Sequence, residues 1–295
     1  RVCLDLADAL DPAGADPADL RLRALSHVTG GGLAANLARV LPAGLIADVD
    51  RSGWVVPPVF DLVRRLGSVP WDDLESTLNL GVGMVAVVDP DLMDAMPRSL
   101  KVATGLDALT HAIEGYITPG AWDLSDALCL RSIQMIAANL RAAADGDADA
   151  VEQMGLAAYI NGMAYSNVGL GLVHGMAHPL GGRYNAPHGV ANGILLAPVM
   201  AFNAEHTGEK YRDIAEAFGV EEARTMPLEE ARAAAVEAVA QLTRDLGNPT
   251  RISEVGVEAD GIEALADDAF ADVCTPGNPR PATREDIKAL YTSLL

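Results

Sequence analysis

From about residue 91 onward apolar residues recur every three or four positions. The segments "LDALTHAIEGYI", "LSDALCLRSIQMIAANL" and "LEEARAAAVEAVAQLTRDLG" each carry the period of one buried helical face. A chain with that pattern packs helices against helices. Helix limits have local causes as well: Gly247 and Pro249 stop one helix, and Thr283 with Asp286 forms a capping box for the last, "TREDIKALYTSLL". Residues 1–88 read differently, as short apolar strands and glycine turns. "LRALSHVTGGGLAANLARVL" predicts strand, turn and helix, and "NLGVGMVAVV" predicts a buried strand. The expectation is an α+β N-terminal portion, residues 1–88, followed by an all-α helical domain, residues 89–295. The two meet inside "VAVVDP" with no Gly/Ser-rich linker between them.

Half of the 295 residues are hydrophobic and 21% are charged, the composition of a folded domain rather than a disordered one. The formal net charge is −20 and Lys and Arg form no stripe, which excludes nucleic acid and anionic lipid as natural partners. The longest apolar run, "VANGILLAPVMAF", is too short for a bilayer and is broken by Asn192 and Pro198, so no membrane span is expected. Cys3, Cys129 and Cys274 are odd in number and far apart, offering no disulfide framework and suiting the cytoplasm. The opening "RVCLDLADAL" has neither an initiating Met nor a signal segment, and the natural N-terminus is expected to lie upstream. Consecutive glycines in "HVTGGGLAANL" could let backbone N–H groups approach a phosphate, but they fit neither GxGxxG nor a Walker loop. A tight structural turn is the expectation there.

Chemistry concentrates elsewhere. In "ATGLDALTHAIEGY" Asp107 and His111 are four apart on one helical face, and His174 and His178 repeat that relation in "GLGLVHGMAHPLGG". His188 follows ten residues later, after Gly181 and Gly182 and before Gly189, where the chain can turn back. Either pair alone is most often only a helix contact. Two pairs together with His188 favour a divalent metal held by imidazoles and one carboxylate. Spacing leaves open which of His174, His178 and His188 are ligands, and whether the metal is Fe, Zn or Ni. The glycines around them each cost about 1 kcal/mol relative to Ala in a helix, which a ligand or tight helix packing must offset.

Residues 89–295, through "DPDLMDAMPRSLKVATGLDALTHAIEGYIT", "GLGLVHGMAHPLGGRYNAPHGVAN" and "DVCTPGNPR", closely resemble the C-terminal helical domain of iron-dependent (group III) alcohol dehydrogenases, in particular their lactaldehyde reductase branch. The resemblance implies a metal, Fe(II) or sometimes Zn, held by Asp107, His111, His174 and His188. It implies His178 as the proton-relay or orienting residue, with Tyr165 and Cys274 lining the substrate pocket. The implied reaction is hydride transfer between a short alcohol or diol and NAD(H), with the metal as Lewis acid on the substrate oxygen. That family's "GGGS" turn and "TTxGTGSE"-like segment, which bind the nucleotide, do not occur in this sequence, and no residue is assigned to NAD(H).

Residues 1–88, through "ALSHVTGGGLAANLARVLPAGL", "DRSGWVVPPVFDLV" and "TLNLGVGMVAVV", resemble instead the C-terminal domain of aminoimidazole ribonucleotide synthetase, the phosphoribosylformylglycinamidine cyclo-ligase. The chain therefore reads as a chimera. Its leading expectation is a metal-dependent oxidoreductase acting on a small alcohol or aldehyde. The alternatives are a metal-binding chimera without turnover and a cyclo-ligase-related protein. Self-association into a homo-oligomer is expected from the apolar surface that an interdomain cleft would present.

Overall fold

The computed structural model describes residues 22–28, 32–39, 49, 54–82, 84–88, 93 and 95–295. Cys3, Gly30, Gly31 and the Asp89-Pro90 junction lie outside the described residues. The chain divides into two compact units, residues 1–92 and 93–295.

In the first unit β1 (Leu22–His27) pairs antiparallel with β2 (Met84–Val88), with a register irregularity between Leu22 and Ala24. Among the described residues three helices lie between them in sequence: α1 (Gly32–Ala38), α2 (Pro58–Gly67) and α3 (Trp71–Thr77). The α+β pattern is as expected, and the glycine run has a structural role at its last member. Gly32 has φ +69°, and a Cβ there would stand 1.9 Å from the backbone oxygen of Glu75, so only glycine lets α1 lie this close to α3.

The second unit is helical throughout, with no strand among its described residues. Its helices are α4 (Arg98–Ile117), α5 (Asp123–Ala144), α6 (Ala148–Tyr165), α7 (Leu172–Tyr184), α8 (His188–Asn203), α9 (Lys210–Ala217), α10 (Leu228–Asp245), α11 (Ile262–Ala271) and α12 (Arg284–Ser293). The three-and-four spacing of Val102, Leu106, Leu109, Ile113 and Tyr116 makes one face of α4 continuous core. It meets Cys129, Ile133, Ile136 and Leu140, spaced the same way on α5. Thr118 precedes Pro119, which disfavours a further helical turn, and α4 ends there. The capping box on α12 forms as its sequence demands: Asp286 N–H donates to Thr283 Oγ1 and Thr283 N–H to Asp286 Oδ2. Among the described residues no helix is long and apolar enough to cross a membrane.

One expectation needs correction. The turn that brings His188 back does not use Gly181 or Gly182, which both lie inside α7. Asn185 makes it, with φ +54°: its short polar side chain tolerates the left-handed conformation, and its N–H bonds back to Gly181 O.

α12 is fastened to α7 by a buried hydrogen bond, Tyr291 Oη donating to Met176 O at 2.6 Å. Tyr291→Phe is expected to lower the unfolding free energy by about 1 to 1.5 kcal/mol. Urea midpoints at constant slope measure it, and an unchanged midpoint would show that the bond contributes nothing net.

Candidate metal centre

Four helices contribute to one cluster. α4 carries Asp107, His111 and Glu114; α6 ends at Tyr165; α7 carries His174 and His178; α8 begins at His188 and carries Asn192 one turn later. Asp107 Oδ1 stands 3.4 Å from His188 Nε2 and 3.6 Å from His174 Nε2. One donor atom from each of Asp107, His174 and His188 lies within 4.8 Å of the other two. Donors bound at about 2.1 Å and tetrahedral angles to a common ion stand roughly 3.4 Å apart, so this set has the spacing of ligands around a cation.

His111 packs beside the three. Its Nδ1 donates to the backbone carbonyl of Asp107 at 2.8 Å and is 3.5 Å from Asp107 Oδ1. Its ring centroid is 4.3 Å from that of His174 and 4.4 Å from that of Tyr165. The bond to the carbonyl leaves Nε2 of His111 as the ring's free donor.

Two residues that the sequence reading missed hold this group. Glu114 is buried, and its carboxylate accepts from His174 Nδ1 at 2.6 Å and from the backbone N–H of Val173 at 2.7 Å. This carboxylate–imidazole bond orients the His174 ring and presents Nε2 to Asp107, the usual arrangement behind a metal-ligating histidine. Asn192 is completely buried: its Nδ2 donates to Asp107 Oδ1 at 2.6 Å and lies 3.1 Å from His188 Nε2, while its Oδ1 has no hydrogen-bond partner. A signal for both was present. Glu114 lies seven positions after Asp107 on the same helical face, and Asn192 lies four after His188 within an apolar run.

The electrostatics favour a cation. Burial works against ionisation of Asp107, yet the His174 imidazole facing it and the fields of His111 and His188 carry its pKa below the ordinary value. For His174 burial again opposes charge, but the facing Asp107 carboxylate and the hydrogen bond to Glu114 push its pKa up to about 9. At neutral pH a proton on His174 therefore stands where a metal's charge would. Burial pulls His111 and His188 down, keeping them neutral and able to donate lone pairs.

His178 and Cys274 sit at the margin. His178 Nδ1 bonds Asp272 Oδ2 at 2.8 Å, and its ring lies nearly parallel to that of His188, 10° between planes and 5.6 Å between centroids. Cys274 follows α11, where reciprocal amide bonds between Asn203 and Asn278 at 2.8 and 2.7 Å anchor the segment. Tyr165 closes the group beside His111, its phenol pKa raised by burial and by Asp107.

Burial and the neighbouring Asp272 and Glu114 charges push the Cys274 thiol up to about 12, and burial with Asp126 does the same for Cys129. At pH 8 each thiolate is about one part in ten thousand. Timed iodoacetamide labelling with peptide mass spectrometry is expected to leave both sites unmodified long after a free cysteine peptide has reacted. Labelling of Cys274 at the peptide's rate would contradict this.

Residues 101–295 match the C-terminal domain of the Fe-containing alcohol dehydrogenase family, and residues 9–108 match the C-terminal domain of AIR synthase related proteins. Over 210 residues the chain is 61% identical to lactaldehyde reductase of Escherichia coli K12, covering 71% of this chain and 55% of that protein. It is 41% identical over 213 residues to the NAD-dependent methanol dehydrogenase of Bacillus methanolicus, covering 72% and 56%. Among solved structures, 1,3-propanediol oxidoreductase superposes with TM-score 0.68 at 35% identity, covering 76% of this chain and 60% of that one. An alcohol dehydrogenase from Oenococcus oeni gives TM-score 0.68 at 33% identity, covering 70% and 54%. The chain spans about half the length of the curated relatives it matches. A donor cluster drawn from three helices and a match over residues 101–295 lead to the same conclusion: the chain belongs to the Fe-containing alcohol dehydrogenase family, through that family's C-terminal domain.

Proposed function

We propose that this chain is the metal-binding part of a cytoplasmic NAD(H)-dependent oxidoreductase that interconverts a short alcohol or diol and its aldehyde, of the lactaldehyde reductase type. The observation that carries the reading is the convergence of Asp107, His174 and His188 around donor spacings suited to one ion. The relatives' names share a primary alcohol or its aldehyde, and the 61% identity to a lactaldehyde reductase favours a short hydroxylated substrate. The domain limits proposed with it are 1–88 and 89–295.

The residues present fit the implied metal. Asp107, His174 and His188 hold it, with His111 as the fourth donor, and Fe(II) is the favoured ion over Zn. The unpartnered Asn192 Oδ1 beside them marks a polar position awaiting a partner. When bound, a divalent ion supplies Lewis acidity to the substrate oxygen.

This chain's own residues do the rest. Glu114 fixes the His174 ring through Nδ1, and Asn192 fixes the Asp107 carboxylate. His178, tied through Nδ1 to Asp272 and 41% exposed at its side chain, keeps Nε2 free to hold the proton exchanged with the substrate hydroxyl and pass it to solvent. Tyr165 and Cys274 border the space beside these rings and restrict substrate size.

A second reading is a metal-binding module without turnover, favoured by the share of the relatives that this chain spans. An NADH fluorescence titration of the purified chain loaded anaerobically with Fe(II) separates the two. Saturable binding at micromolar concentration supports the oxidoreductase. Tight Fe(II) binding with no NADH affinity leaves the module.

A further inference from the structure

Beside the Asp107 group a second set of donors of different chemistry converges. His178 lies one helical turn beyond His174 on α7, and Asp272 and Cys274 lie on the segment that follows α11. One donor atom from each of His178, Asp272 and Cys274 lies within 4.8 Å of the other two. The arrangement is held from several sides. Asp272 Oδ2 meets His178 Nδ1 at 2.8 Å while its Oδ1 accepts from Cys274 N–H at 2.8 Å. Thr275 Oγ1 donates to Ala269 O at 2.6 Å, and Gly277 N–H to Cys274 O at 2.9 Å, closing the turn that presents the thiol.

We propose that His178, Asp272 and Cys274 form a second divalent-metal site, selective for a thiolate-accepting ion such as zinc. The inference goes beyond the oxidoreductase reading and does not depend on it. An imidazole, a carboxylate and a thiolate are the donors zinc takes, and the Asp107 group contains no sulfur. The neutral imidazole and two anions balance a dication. Binding releases the Cys274 S–H proton to solvent, because a coordinated thiol is deprotonated outright.

Three protein donors leave one position open, and it has a way in. His178, Gly182, Asp268 and Asp272 line a solvent-open depression. The cation at its rim, Arg183, is paired with Asp268, so its charge is already matched. Because the His178 and His188 rings lie nearly parallel at 5.6 Å, the two sites abut. An ion on His178 takes that ring out of proton transfer, so zinc at this position would exclude substrate rather than assist it.

The test is a cobalt(II) titration of the metal-stripped full chain, since cobalt replaces zinc and a cobalt–thiolate bond gives a near-ultraviolet charge-transfer band. The wild-type chain is expected to bind two equivalents and to develop the band. Asp107→Ala should bind one equivalent and keep it. Cys274→Ser should bind one equivalent and lose it, and His178→Gln should weaken the band-forming step at least tenfold. A wild-type chain that is saturated with cobalt and shows no band overturns the proposal, as does a band that persists in Cys274→Ser; one equivalent with the band would remove the Asp107 site and leave this one standing. Should Asp107→Ala fail to fold, displacement of the cobalt band by added zinc in the wild-type chain provides the second readout. A cobalt band that zinc leaves in place overturns the proposal.

Discussion

Asp107→Ala is expected to weaken divalent metal binding by more than about a hundredfold, since loss of an outer-shell partner alone costs about 10 to 100-fold. Asp107 Oδ1 is the one anionic donor among the three that converge, and both His174 and His188 face it. Glu114→Gln should fall in the smaller range, because it removes the carboxylate behind His174 and leaves every donor in place. Competition with a chelator of known affinity reads both. Equal losses would mean that Glu114 acts as a ligand, and no loss in Asp107→Ala would place the metal elsewhere.

The same cluster sets a pH dependence with a defined sign. His174 holds a proton up to about pH 9, and a metal taking Nε2 must displace it. Affinity should therefore fall by up to about tenfold for each pH unit below 9. In the metal-free chain the raised pKa works on folding. Its stabilisation is fully present below the ordinary histidine value of 6.5 and is lost as pH rises through about 9.

The second large effect concerns packing. Gly189→Ala should destabilise the helical unit by about 2 to 3 kcal/mol, although alanine is the better helix former by about 1 kcal/mol. A Cβ on Gly189 would stand 2.0 Å from Ala103 O and 2.5 Å from its carbonyl carbon, backbone atoms of α4 that no rotamer can move aside. α8 would have to slide away from α4, carrying His188 from Asp107, so metal affinity should fall together with stability. Gly182→Ala is the matched control. Nothing lies within 4 Å of its added Cβ, and it should stabilise by up to about 1 kcal/mol. Thermal or urea unfolding of the two variants decides the matter, and the same sign for both would refute the packing account.

Those glycines also show what was legible in the sequence. The cost of glycine in "VGLGLVHGMAHPLGG" called for a compensating contact, and tight packing supplies it at Gly175, where a Cβ would meet Thr275 Oγ1 at 2.2 Å. The helical period fixed the second unit, because nothing but a buried stripe explains Leu106, Leu109 and Ile113. Periodicity also put Asp107 beside His111 and His174 beside His178, since i and i+4 share a face whatever the tertiary fold. That His174 and His188 both turn to Asp107 was not legible by spacing, because it depends on how α7 and α8 cross α4. Glu114 was missed for a related reason. A glutamate on an apolar face looks like an error of pattern until its partner, His174, arrives from a helix sixty residues away. The turn at Asn185 was missed because glycine is the commoner left-handed residue and two glycines stood nearby.

Glu114 has a further consequence, in the order in which the protein comes together. α7 begins at Leu172 after Gly171, a residue with no side chain to accept from the exposed N–H groups of the first turn. Glu114 Oε1 accepts from Val173 N–H instead, from the far end of α4. The first turn closes locally through Gly175 N–H to Gly171 O, but its Val173 N–H gains a protein acceptor only once α4 docks. Protection of the Val173 amide from hydrogen exchange should appear late in refolding, after that of the α7 interior, and the His174 ring should be set in place at that same moment.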